Sequence, residues 1–232
     1  MKNKWLNKLK NLSPRGIQST IMIAFSTISL SIMLILGTIM YLGISASARQ
    51  EIVESTQKLV EQAGENLEDY LVSMRQISDA VYYNVIKEND FSSRNEEIQK
   101  GMNLLYEANR DKLRSIAIYN HYGSLLAAEP VISQKEDPNV TKQSWYEQAV
   151  NEMENMHFST PHIQNLFDDD SFRYYWVISL SRMAEYTDQG ESQMGVLLVD
   201  MDYSSISRML KQMNSTNNGQ YYYLCDSNGE II

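Results

Sequence analysis

From Gly16 to Ala48 the chain carries no Asp, Glu, Lys, Arg or His. The centre of this run, Ile21 to Ile44, is built mainly from Ile, Leu, Met, Phe and small residues. About twenty apolar residues, rising about 1.5 Å each, cross a bilayer hydrocarbon core of roughly 30 Å. A buried core helix does not need so long a charge-free run, so residues 17–44 are read as a transmembrane helix. Ser26, Thr27, Ser29, Ser31 and Thr38 are compatible with that reading, because helix hydroxyls bond back to backbone carbonyls.

Lys2, Lys4, Lys8, Lys10 and Arg15 precede the run, with no acid among the first fifteen residues. Basic residues beside a first span stay cytoplasmic, so residues 1–16 are expected inside the cell membrane and the bulk of the chain outside it. Taking those five cations from the total of 20 leaves 15 against 29 acids, and the whole chain carries −9. An acidic exterior without a basic patch argues against nucleic acid and anionic lipid head groups as partners. Ala46-Ser47-Ala48 has the form of a signal-peptidase site. The apolar run is nearly twice the length of a signal core, however, which predicts a retained anchor. The single Cys225 has no partner for an internal disulfide.

Beyond the span, Ile52, Thr56, Leu59, Ala63, Leu67, Tyr70, Met74, Ile77 and Val81 follow one another at steps of four and three. This is a heptad seam with one stutter, and it predicts a long extracytoplasmic signalling helix over 45–88. Leu59, Leu67, Tyr70, Met74 and Ile77 carry the seam. It packs either on its own domain alone or also on a second copy in a parallel homodimer.

A second helix is expected from Asn95 to Arg110, after which the hydrophobic period changes to two. Leu113 to Tyr119, Leu125 to Ala128, His157 to Ile163, Arg173 to Arg182 and Gln193 to Asp200 read as strands. Lys142 to Met153 and Ser204 to Met213 read as helices. The whole is an α+β arrangement: a five-stranded antiparallel, PAS-like sheet with helices, over 89–214. After a polar linker, Tyr221 to Ile232 repeats the pattern of Ser115 to Leu126, with Gly229 matching Gly123. Residues 219–232 are therefore read as the first hairpin of a second, truncated module.

The leader and span SPRGIQSTIMIAFSTISL, the helix DYLVSMRQISDAVYYN, the Trp145-Tyr146 helix, GVLLVDMDYSSI and DSNGEII together resemble double Cache sensor regions. More narrowly, the chain is similar to membrane sensor histidine kinases of two-component systems, in the Gram-positive group whose regulators often control carbohydrate use. That resemblance implies an extracytoplasmic ligand sensor whose signal reaches a cytoplasmic kinase and, through it, a response regulator by phosphorelay. The kinase half lies beyond this chain, and His121, His157 and His162 fall outside the membrane, where none can be a phosphoacceptor. The same input module also serves chemoreceptors and diguanylate cyclases; a tethered surface enzyme or adhesin is a remoter reading.

The resemblance also implies a ligand site. In amine- and amino-acid-binding Cache modules, an Arg two residues before the Trp, a Tyr after a Pro and an Asp closing the last strand complete a constellation around the Trp-Tyr helix. Trp145, Tyr146 and Asp200 match. His162 stands at the Tyr position after Pro161, and Gln143 stands where the carboxylate-clamping Arg belongs. A sugar-like or other polar metabolite suits aromatic faces with hydrogen-bonding rims. Tyr174 joins the candidates from the Tyr174-Tyr175-Trp176 run. Trp145 and Tyr146 either touch ligand or simply pack their helix on the sheet. Asp168-Asp169-Asp170 reads as a solvated turn, since it lacks the alternating ligands of a calcium loop. No metal site, cofactor motif or catalytic signature stands out in the sequence.

Overall fold

The computed structural model describes residues 16–92, 96–131, 133–135, 139–167, 175–216, 221–225, 229 and 231. The first helix, α1, runs Ile17–Val81, and the chain divides into two compact units between Glu61 and Gln62. The first unit contains the one helical stretch among the described residues that is long and apolar enough to cross a membrane. Between residues 17 and 44 its Ile, Leu, Met and Phe side chains are all exposed. Thr27 Oγ1 donates to the Ala24 carbonyl (2.9 Å), Ser31 Oγ to Thr27 (2.8 Å) and Thr38 Oγ1 to Leu34 (2.7 Å). Each hydroxyl is thus satisfied within its own helix.

The second unit begins within the seam. Tyr70, Met74, Ile77 and Val81 are buried against the unit's own sheet, with Leu67 packed at the margin. Leu59, in the first unit, is only half-buried. At Val81 the helix widens into a π-turn, Tyr82–Ile86, which brings both Val85 and Ile86 into the core. The second helix, α2 (Glu96–Asn109), places Ile98 and Met102 in the same core.

The sheet follows as β1 (Leu113–Asn120), β2 (Leu125–Glu129), β3 (His157–Phe158), β4 (His162–Ile163), β5 (Trp176–Asp188) and β6 (Glu191–Asp202). A short helix, α3 (Ser144–Asn151), precedes β3 and is entered through a 3-10 turn, Val140–Lys142; α4 (Ser204–Thr216) follows β6. All pairings are antiparallel in the order β2-β1-β6-β5-β3, with β4 also on β5. The expected five positions are present, but the last is filled by two short strands where one was expected from His157 to Ile163. Pro161 has no N–H to offer the ladder. Ser159 bridges the gap: its N–H donates to the Ser179 carbonyl (2.8 Å) and its Oγ accepts from the Ser179 N–H (2.9 Å).

The β5–β6 hairpin is longer than the alternation alone suggested, extending across the gap between the expected strands Arg173 to Arg182 and Gln193 to Asp200. Gln189 (φ 52°) and Gly190 (φ 76°) make the tight two-residue turn. Successive residues of β1, β5 and β6 alternate between two separate apolar clusters, one on each face of the sheet. The later hairpin shows one antiparallel bridge, Cys225 to Ile231, with Gly229 at φ 85°. Its counterparts in the first hairpin are Tyr119 paired with Leu125 and Gly123 at φ 80°. The bridged pair and the positive-φ glycine thus fall at matching positions of the two stretches. Asp168–Asp170 and Tyr174 lie outside the described residues.

Candidate functional site

The face of the sheet away from α1 and α2 is organised by register. Ser115 of β1 and Ser179 of β5 both stand opposite Asp200 of β6, so one row across three strands reads Ser115, Asp200, Ser179. Two residues on, the rows are Ala117, Leu198, Ser181 and then Tyr119, Val196, Met183. Asp200 is buried, and each carboxylate oxygen has a hydroxyl partner. Ser115 Oγ donates to Oδ2 at 2.9 Å, and Ser179 Oγ donates to Oδ1. His162 Nε2 lies 3.4 Å from Ser179 Oγ, and its Nδ1 lies 3.0 Å from the Thr160 carbonyl. Ser159 Oγ lies 3.2 Å from His162 Nδ1. Burial raises the Asp200 carboxyl above the usual carboxylate range, while the two serines and the His162 charge pull the other way.

α3 covers this face. Trp145, Tyr146 and Ala149 are buried in one cluster with Ala117, Tyr119 and Leu198. Two bonds hold the helix to the sheet: Ser181 Oγ donates to the Trp145 carbonyl (2.8 Å), and Tyr146 OH donates to the Asn120 carbonyl (3.1 Å). The Trp145 ring lies 5.7 Å from the Tyr119 ring. Gly123 makes this closure possible. A Cβ there would come 2.8 Å from Thr141 Cγ2, in the turn that leads into α3.

The structure thus brings Trp145, Tyr146, His162 and Asp200 to one face of the sheet. Gln143 forms the extended N-terminal cap position of α3. Ser115, Ser179, Ser181 and Tyr119 stand on the same face and were not among the candidates read from the sequence. The signal was present as serines at a period of two in β5, directly across from Asp200. Seeing it requires the register, which the sequence does not print. Tyr119 is fully buried, and its phenol oxygen has no hydrogen-bond partner among the described residues. Burial and the Asp200 charge raise its pKa well above the tyrosine range.

β5 and its turn into β6 are also tied to α1 and the segment after it. Arg182 Nη1 donates to Asp79 Oδ1 (2.7 Å), and its guanidinium sits 4.6 Å over the Tyr82 ring. Lys87 pairs with Glu185. Asp90 accepts from the Gln189 N–H (3.1 Å) and the Gly190 N–H (2.8 Å), clasping the β5–β6 turn. One hairpin therefore carries both the buried carboxylate and the contacts to the long helix and the segment after it.

A helix-backed antiparallel sheet with a covered polar row on its second face is the architecture of a PAS-like module. The chain belongs to the Cache domain family, which matches residues 44–232. Among solved structures it is similar to the ligand-binding domain of the Pseudomonas aeruginosa amino acid chemoreceptor PctC in complex with GABA. That match has 14% identity and a TM-score of 0.56, covering 73% of this chain and 69% of that one. It is similar also to the sensory domain of the Campylobacter jejuni chemoreceptor Tlp3 with isoleucine bound (14%, TM-score 0.56, 80% and 71%). A third is the Pseudomonas fluorescens chemoreceptor CtaA domain with L-serine (16%, TM-score 0.53, 74% and 66%). The chain spans about two thirds of the length of the chemoreceptor domains it matches. At these identities the likeness establishes the fold. None of the curated proteins compared with it matches this chain.

Proposed function

We propose that this chain is the extracytoplasmic sensing input of a two-component sensor histidine kinase, anchored by residues 17–44 with its amino terminus cytoplasmic. The observation that carries the sensing role is the buried Asp200, held by Ser115 and Ser179 beneath the Trp145-Tyr146 helix. A fold maintained for stability alone gains little from a carboxylate there, because burying one costs free energy that an apolar residue would not. Trp145, Tyr146, His162, Asp200 and Tyr174 are the proposed ligand contacts. Residues 45–88 form the proposed signalling helix, 89–214 the membrane-distal module, and 219–232 the opening of a second. Since Tyr70, Met74 and Ile77 are committed to the module's own core, pairing of two copies in a parallel homodimer falls to the part of the seam before Leu67. A response regulator would be reached only through the cytoplasmic part of the whole protein, and nucleic acid is not a partner of so acidic an exterior.

A second reading, input to a chemoreceptor, is favoured by the solved structures above, which are chemoreceptor domains carrying GABA, L-serine and isoleucine. Phosphate transfer from ATP to a histidine of the whole membrane protein would select the kinase. Methylation of glutamates would select the chemoreceptor.

Thermal unfolding of the chain in detergent micelles, across sugars, amino acids, amines and organic acids, tests sensing itself. A ligand at a hundred times its Kd adds about 2.7 kcal/mol, enough to raise Tm by several degrees. A hit that vanishes in Asp200→Ala, with cooperative unfolding retained, is the expected result. Loss of folding in Asp200→Ala would make the residue structural.

A further inference from the structure

We infer that the Tyr119 phenol is a ligand-binding group of this site, donating to an uncharged oxygen, a hydroxyl or carbonyl, on the ligand. The inference rests on the sensing role proposed above and names the chemical class that the site takes. Four observations meet at this residue. Tyr119 shares the sheet face of Ser115, Asp200 and Ser179, by the alternation of β1 and its register with β6. Its ring packs 5.7 Å from that of Trp145, on the covering helix. Its side chain is fully buried, yet its hydroxyl has no hydrogen-bond partner among the described residues. Finally, its backbone is in close contact with β6, because a Cβ at Gly195 would lie 2.4 Å from the Tyr119 carbonyl oxygen.

Buried hydroxyls in native proteins are nearly always paired, and an unpaired one is a standing cost. The neighbouring Tyr146 shows the contrast: its hydroxyl reaches the Asn120 carbonyl and is satisfied within the protein. An incoming acceptor would give Tyr119 what the fold withholds. The field at that point decides the kind of acceptor. Burial first, and the Asp200 charge after it, disfavour negative charge on the phenol, and a ligand carboxylate placed beside the fully buried ring would meet the same penalty. An uncharged oxygen is not penalised. Asp200 still has lone pairs beyond those used by the two serines, so it can accept from a ligand hydroxyl while Tyr119 donates to one. Polyhydroxy compounds offer both functions in one molecule.

The test uses the full chain in detergent micelles, as wild type and Tyr119→Phe, unfolded thermally with and without D-glucose, D-xylose, maltose, L-isoleucine and γ-aminobutyrate. Tyr119→Phe keeps the ring and removes only the hydroxyl. Without additive, the variant should unfold at or above the wild-type temperature, since it deletes an unsatisfied group. A lower temperature would mean that the phenol has a structural partner and would overturn the inference. With additive, the wild type should respond to at least one sugar, and Tyr119→Phe should bind that sugar about tenfold more weakly. A wild-type response that Tyr119→Phe leaves unchanged removes Tyr119 from the site while sensing stands. A response confined to L-isoleucine or γ-aminobutyrate overturns the uncharged class. No response to any probe overturns the sensing role and this assignment together.

Discussion

Both faces of this sheet are buried against apolar side chains, but only one of them also carries a row of buried polar groups. Towards α1 and α2, the three central strands present Ile116 and Ile118, Ile178 and Leu180, and Leu197, Val199 and Met201. Towards α3 the same strands present Ser115, Ser179, Ser181 and Asp200, with Tyr119 beside them. The first face is what the hydrophobic effect alone would select. The second gives up part of that stabilisation at four adjacent positions, and three of its side chains spend their hydrogen bonds on one carboxylate or on a covering helix. Local departures from the rules of a good core mark where a fold is shaped by something besides stability.

The largest expected difference between the faces comes from neighbouring residues of β5. Leu180→Ala removes a fully buried side chain from the helix-packed face and should cost about 2–5 kcal/mol. Ser181→Ala, one residue on and equally buried, removes only the bond to the Trp145 carbonyl and should cost about 1 kcal/mol. Chemical denaturation of the two variants reads both values. Comparable losses would mean that the polar face is as much a stabilising core as the other.

Asp200→Asn sharpens the contrast in sign. The folded carboxyl is raised by burial above its unfolded value of 3.8, so its contribution to stability is fully present below that value. It is lost as pH rises through the folded value. Wild-type stability should therefore carry a declining component with rising pH that Asp200→Asn lacks. At neutral pH the ligand-free variant should match or exceed wild type, by about 2–4 °C for each kcal/mol relieved. Ligand response should fall at the same time. Thermal unfolding at pH 5, 6, 7 and 8 checks both. A variant less stable than wild type at every pH would show that the ionised carboxylate holds the sheet together.

Arg182 is the exception on the apolar face, and a smaller effect is expected there. Its partner Asp79 is 40% exposed at the side chain, so water weakens the pair. A double-mutant cycle of Arg182→Ala and Asp79→Ala should give a coupling of about 0.5–1 kcal/mol. A coupling indistinguishable from zero would leave Arg182 held by its stacking on Tyr82, in the π-turn after α1.

How much of this was legible beforehand follows from what each feature depends on. The charge-free run, the seam from Tyr70 to Val81 and the strand alternation are local patterns, and the structure has each of them. Asp200 and the Trp145-Tyr146 helix were legible because a family pattern carries them. The serines around Asp200 were not, since a hydroxyl at an alternating position looks the same whether it faces solvent or a carboxylate two strands away. The length of the β5–β6 hairpin was misjudged for a related reason. Asp188 to Ser192 is polar enough to read as loop, but Gln189 and Gly190 suffice for the turn, and Asp90, about a hundred positions earlier, supplies the acceptors that hold it.

That clasp gives the smallest expected effect, and it joins the two faces, because the hairpin bearing Asp200 ends at the turn Asp90 holds. The Ser92 hydroxyl and three backbone amides, those of Ser92, Gly190 and Gln189, donate to the Asp90 carboxylate and lower its pKa from 3.8 to about 2. A lowered folded pKa contributes stability above the unfolded value, which disappears as pH falls through about 2. Asp90→Ala should therefore be slightly less stable than wild type by a constant margin from neutral pH down to about pH 4, and the margin should close only below that. Being an exposed contact, its effect is expected to be local. Amide hydrogen exchange at Gln189 and Gly190 should accelerate in Asp90→Ala, while exchange in the middle of β6 stays unchanged. If exchange near Asp200 accelerated too, the turn and the buried carboxylate would open as one unit. The polar face would then be mechanically continuous with the end of the long helix, and the two faces could no longer be treated as independent.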